Sequence, residues 1–150
     1  MDDYKKLSKD ELISKVKKLT SRVEQLERAS GEWSPEARHI RRFLPAVVRD
    51  IPAMIFIKRA SDLSFVLLNR FGEEVLGVKE EDVLGKNDFD FFPEDEAQFF
   101  TEKDREVLET GVMRDIWEEP VTTPNGIRWL HTKKIPLFDD NGEPAFLVGI

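Results

Sequence analysis

The chain has 150 residues, 40% of them hydrophobic and 35% charged, with 11 Phe, no cysteine and a net charge of −7. That length supports one domain of about 100 residues plus an extension, and the aromatic content supports a core, which argues against overall disorder. The lack of cysteine excludes disulfides, thiolate nucleophiles and Cys-based zinc sites. No apolar run approaches the roughly 20 residues that span a bilayer, so the segment is expected to be cytoplasmic and to make no membrane contact.

The charge is uneven. Residues 1–42 hold 11 Lys/Arg and 8 Asp/Glu, a net of +3, whereas residues 43–150 hold 12 and 22, a net of −10. A globular part this acidic repels phosphate backbones, so no nucleic-acid partner is expected there.

In chain order, Ser8-Lys9-Asp10-Glu11 fits a capping box and opens a helix. Leu12, Val16, Leu19, Val23 and Leu26 follow at spacings of 4, 3, 4 and 3, a heptad seam with Val at a and Leu at d, a choice that favours parallel two-stranded coils. Two heptads leave two outcomes open: a coiled-coil homodimer, or an amphipathic helix packed on its own domain. Ser30-Gly31 ends this helix. Ser34-Pro35-Glu36 starts a second, which carries Ile40, Phe43, Leu44, Val47 and Val48, is expected to kink or restart at Pro45, and closes at Ile51-Pro52. Phe43 and Val47 are expected to extend the dimer seam.

From residue 51 the pattern changes. Met54–Ile57 and Phe65–Leu68 read as strands of a hairpin across the turn Ser61–Ser64. Asn69 is placed to cap a helix over Arg70–Leu76, which Gly77 ends. Glu80–Val83 is a further helical turn. Pro93-Glu94-Asp95-Glu96 starts a long helix to Thr110, with Ala97, Phe100, Val107 and Leu108 on one face, Phe99 at its edge and Gly111 as the stop. Met113–Thr122, Ile127–Pro136 and Pro144–Ile150 read as three strands, separated by Pro124-Asn125-Gly126 and Asp139-Asp140-Asn141-Gly142, both with the Asn-Gly hairpin signal. The result is an α+β domain over residues 51–150 behind a helical lead-in over residues 1–50.

Taken together, the segment from about Phe43 to Ile150 resembles a PAS domain of the sensory-box family. The residues that carry the likeness are Ile51–Lys58, Leu68-Asn69-Arg70-Phe71, Val75-Leu76-Gly77, Glu81–Lys86 with Asp88–Pro93, Trp129–Leu137 and Leu147–Ile150. The resemblance implies a five-stranded antiparallel sheet with helices on one face. It implies a sensor in a prokaryotic signal-transduction protein of the histidine kinase (two-component) or cyclic-dinucleotide enzyme type, acting through a dimer. Members commonly continue into a junction and an output helix, so the chain is expected to be truncated at Ile150 and covalently linked to an effector domain beyond it.

No catalytic set is legible: there is no Ser/His/Asp constellation and no phosphate-binding Gly loop, so the fragment is not expected to be an enzyme. Haem-binding relatives ligate iron from the long helix, which here has no histidine; His39 and His131 read as surface residues. Flavin adducts in the superfamily need a cysteine. Asn87–Asp90 and Asp139–Gly142 lack calcium-loop spacing and read as caps and turns. Neither haem, flavin nor a metal is therefore expected. Glu118 and Glu119 read as solvated acids.

The aromatic residues Phe56, Phe99, Phe100, Trp117 and Trp129 are the candidate walls of a cavity between sheet and long helix. Alternation leaves open whether Ile116 or Trp117, and Trp129 or Leu130, points inward. Two functional readings follow: a sensor that binds a small, largely uncharged or aromatic molecule, with Arg128, Lys133 or Lys134 as a cation for a carboxylate, or a ligand-free structural dimerisation module whose rings fill the core.

Overall fold

A computed structural model of the protein describes residues 9–30 and 35–150. The chain divides into two compact units, one up to Ala53 and one over Met54–Ile150.

The first unit holds α1 (Lys9–Ser30) and α2 (Pro35–Asp50). Asp10 and Glu11 in the first turn of α1, Glu36 in that of α2 and Arg49 in its last turn match the helix dipole. α2 runs through Pro45 without the restart that the sequence allowed there. Pro45 lies on an exposed side of the helix. Ser8, Gly31 and Ser34, expected to cap these helices, lie outside the described residues.

The second unit is built from β1 (Phe56–Arg59), β2 (Phe65–Leu68), α3 (Arg70–Leu76), α4 (Glu80–Val83), a 3-10 turn (Asp88–Asp90), α5 (Glu94–Thr110), β3 (Arg114–Thr123), β4 (Gly126–Phe138) and β5 (Pro144–Gly149). The five strands form one antiparallel sheet in the order β2-β1-β5-β4-β3. β1 starts two residues later than its apolar run predicts, because it pairs Phe56 with Leu68 on one side and Gly149 on the other.

Local chemistry sets the connections. Asp62 Oδ1 accepts from Ser64 N at 3.0 Å and Ser64 Oγ at 2.7 Å, closing the β1–β2 turn. Asn69 caps α3 as expected, its Oδ1 accepting from Gly72 N at 3.0 Å; the same oxygen accepts from Ile55 N at 2.8 Å. Gly77 and Gly111 end α3 and α5 in the left-handed conformation. Asn87 and Asp90 cap the 3-10 turn reciprocally.

The core lies on the helical side of the sheet. Phe56, Phe65, Leu68, Val121 and Leu147 from the strands meet Val75, Leu76, Val83, Phe100, Val107 and Leu108 from the helices. In β4 the inward positions are Leu130, half-buried, and Thr132 and Lys134, buried, while Trp129 and His131 are exposed; the alternation ends at Lys134-Ile135-Pro136, all three buried. β3 does not alternate cleanly. Ile116 pairs with Thr132, but Glu119 pairs with Leu130, so three residues of β3 face two of β4. This bulge shifts the inward phase from Ile116 to Glu119 and Val121.

Candidate functional site

Beneath α5 the inward positions of three strands carry charge. Lys58 of β1, Lys134 of β4 and Glu119 of β3 meet Asp104 of α5 and Asp88 of the 3-10 turn, and all five are buried. Lys58 Nζ donates to Asp88 Oδ2 at 2.5 Å and to Asp104 Oδ2 at 2.6 Å. Lys134 Nζ donates to Asp104 Oδ1 at 2.7 Å. Asp104 thus bridges both ammonium groups. Lys58 also sits 4.8 Å from the centroid of the Phe65 ring, and Lys134 5.6 Å from that of Phe100, so aromatic faces complete their surroundings.

Glu119 is the odd member. Its Oε1 lies 3.2 Å from Lys134 Nζ, close enough for an ion pair. That contact is longer than the three lysine–aspartate contacts, and Oε1 has no donor in regular hydrogen-bond geometry among the described residues. The cluster thus sets three carboxyl groups against two ammonium groups in a buried setting.

Burial works against every charge here, and the partners decide each outcome. Burial pushes the Asp88 carboxyl above its ordinary 3.8, and the attraction of Lys58 does not overcome it. Burial also acts to raise Asp104, but Lys58 and Lys134 together outweigh it and hold the group below 3.8. For Lys134, burial acts downward, yet Asp104 and Glu119 hold the ammonium above its ordinary 10.5.

Two cavities meet at this place. The inner one, about 30 Å³, is lined by Phe56, Lys58, Asp88, Phe100, Glu119 and Lys134, among others. That volume holds one or two waters, not a metabolite. The second, about 310 Å³, lies under β2, α3 and α4, with Leu68, Val78, Val83 and Phe91 in its wall and an exposed rim at Thr122 and Pro124. Phe65, Leu76 and Phe92 line both cavities.

The five aromatic residues expected to form the wall therefore separate. Phe56 and Phe100 line the inner cavity. Phe99 is half-buried at its edge, packed against Phe100 at 6.1 Å between centroids. Trp117 and Trp129 line neither cavity; they are 74% and 67% exposed, with Ile116 and Leu130 turned inward instead. Trp117 stacks on the His131 ring at 4.2 Å, and His131 pairs with Asp115 on the same exposed side. The bulge in β3 and the register of β4 account for this outcome.

The wall also holds charge. Glu119, read from sequence as a solvated acid, is 3% exposed, Lys134, one of the three candidate cations, is 1% exposed, and Asp88 both opens the 3-10 turn and pairs with Lys58. Asp104 was legible: it falls four residues after Phe100 and three before Val107, on the buried face of α5. Lys58 shares the inward phase of Phe56. Glu119 had no such signal, because a bulge has none.

Of the seam residues, Val16, Leu19 and Val47 are half-buried and Phe43 is 59% exposed. The side chains of Leu12, Val23 and Leu26 lie outside the described residues. No described helix is long and apolar enough to cross a membrane. Among the described residues, no group of three or more His, Asp or Glu is placed to hold a metal ion.

Residues 48–150 match the family model of the PAS fold. The chain belongs to the PAS family. This fold is similar to several solved structures. One is the VqmA dimer of Vibrio cholerae, described as a LuxR-type receptor with a target DNA: 25% identity, TM-score 0.62, covering 71% of this chain and 48% of that one. Another is an RNA-binding Light-Oxygen-Voltage receptor, at 18% identity and TM-score 0.63, covering 73% and 31%. A third is the PAS domain of a Colwellia psychrerythraea protein, at 14% identity and TM-score 0.62, covering 73% and 92%. The chain thus spans about half the length of VqmA. No curated protein matches the sequence.

Proposed function

We propose that this PAS chain is the input module of a larger cytoplasmic regulator and binds a small molecule in the cavity under β2, α3 and α4. The observation that carries this reading is the apolar space of about 310 Å³, which adjoins a buried charge cluster through shared walls. That space lies at the low end of the size of ligand sites, and an apolar chamber with few convergent polar groups is their usual chemistry. The alternative, a ligand-free dimerisation module, suits the inner cavity, whose rings leave only about 30 Å³. It leaves the larger cavity without a purpose.

The signal passes to an output domain through a homodimer seamed by α1 and extended along α2. The family resemblance favours a histidine kinase or a cyclic-dinucleotide enzyme as that output. The likeness to VqmA, solved bound to DPO and described as DNA-binding, supports a second reading in which the output binds DNA. The PAS part itself, net −10 over residues 43–150, is the wrong sign for nucleic acid.

Mass spectrometry of the denatured, freshly purified protein tests the binding reading, together with a thermal-shift screen of small aromatic molecules. A bound ligand stabilises by RT ln(1 + [L]/Kd), about 2.7 kcal/mol at a hundredfold excess over Kd. Val78→Phe fills the larger cavity without touching the charge cluster. It should keep the fold and lose the ligand-induced shifts; hits that survive it would place binding elsewhere.

A further inference from the structure

We infer that Glu119 is the selectivity element of this module, which takes small aromatic ligands carrying an N–H or O–H donor and rejects carboxylates. The inference rests on the proposed ligand-binding reading and adds the chemistry that the site recognises.

Three observations converge. Glu119 is 97% buried by its 3% exposure and lines the inner cavity, yet its Oε1 has no hydrogen-bond donor among the described residues. A buried carboxylate oxygen without a donor is costly, and such groups in folded proteins have a reason. Second, the cluster sets three carboxyl groups against two ammonium groups, and of its four lysine–carboxyl contacts that of Glu119 to Lys134 is the longest, at 3.2 Å against 2.5, 2.6 and 2.7 Å. Lys134 already has a short, aligned bond to Asp104 and does not depend on Glu119 for a partner. Third, the β3 bulge is what turns Glu119 inward.

The occupant that satisfies these facts is a hydrogen-bond donor. A carboxylate ligand would bring a fourth carboxyl group beside Glu119, Asp88 and Asp104 and find both lysines engaged. The apolar body of the ligand fits the larger cavity. Its donor reaches Glu119 past Phe92, a half-buried ring in the wall of both spaces, which must rotate to join them.

Indole and benzimidazole, each paired with its N-methyl derivative, and benzoate as the anion, are titrated into the wild type, Glu119→Gln and Glu119→Leu. Melting temperatures without ligand are recorded in parallel. The N–H member should bind the wild type about tenfold or more tighter than its N-methyl partner, and benzoate should not bind. In Glu119→Leu that preference should fall to within about threefold, which separates loss of the acceptor from the bulk of the methyl group. Both variants should melt no lower than the wild type, because both lysines keep an aspartate partner. If both members of each pair bind the wild type equally, ligand binding stands and the role of Glu119 is overturned. If neither binds while the variants remain stable, the ligand-binding reading fails with it. If Glu119→Gln and Glu119→Leu both melt more than about 5 °C lower, Glu119 is a structural counter-ion and the inference falls.

Discussion

Asp104 accepts a hydrogen bond from each of two buried ammonium groups, which makes it the residue on which the charge cluster depends. Asp104→Ala leaves Lys58 with Asp88 alone and Lys134 with the longer contact to Glu119 at 3.2 Å. Breaking a buried pair from one side costs about 3–5 kcal/mol, and urea titration should read a loss of that size. Exchanging an exposed pair such as Arg70 and Glu74 should cost under about 1 kcal/mol.

The pH dependence separates the two aspartates. Asp104 is held below its ordinary 3.8, so its contribution is fully present above 3.8 and is lost as pH falls through the folded value. Asp88 is raised above 3.8, so its ionisation opposes folding. That penalty is complete above its folded value and vanishes below 3.8. Asp88→Asn should therefore remove a rise in wild-type stability on mild acidification, while Asp104→Asn should remove a fall at lower pH. Melting temperatures across the acid range decide both. A wild type and Asp88→Asn with parallel profiles would contradict the burial-driven shift.

At the scale of elements, two contacts hold the sheet and helices in register. Asn69 Oδ1 accepts from the backbone N–H of both Ile55 and Gly72, joining the approach to β1 to the first turn of α3. Asn69→Ala leaves two donors without an acceptor and should cost about 1–2 kcal/mol in chemical denaturation. Gly149 lies under the Phe56 ring, so closely that an added Cβ would overlap the ring atoms. Gly149→Ala should displace Phe56 from the inner cavity and cost about 1–3 kcal/mol. A melting temperature unchanged from wild type would show that the ring has room to move. α5 is fastened at both ends of its exposed side: Glu96 accepts from Thr122 N at 2.9 Å, and Arg105 donates to the carbonyl oxygens of Ala60 at 2.7 Å and Ser61 at 3.2 Å.

For the whole molecule, the proposed output runs through association of the helical unit. Fully burying a Val or Leu contributes about 1.5–3 kcal/mol, so a five-residue seam per chain offsets the entropy of association where two residues would not. Leu19→Glu combined with Val23→Glu should convert a dimer in light scattering to a monomer while the PAS part keeps its melting transition. A wild type that is monomeric at high micromolar concentration would remove the dimer from the mechanism.

Sequence by itself determined the order and kind of the elements, because each rests on local chemistry. The Asn69 cap, the stops at Gly77 and Gly111, the Pro-acid start of α5 and the Asn-Gly turns act within a few residues, and all stand where their chemistry puts them. The order of two strands, helices and three strands carried the likeness to the PAS family for the same reason. Only the tertiary structure decided the site. Whether a strand residue faces core or solvent depends on a phase that one bulge reverses, and that bulge exposes Trp117 and buries Glu119. Lys58, Asp88, Asp104 and Lys134 are tolerated inside because residues 30 and 46 positions apart neutralise one another, and no local pattern encodes such a pairing. A Lys or Glu on a strand reads as solvent-facing until its partner is placed beside it.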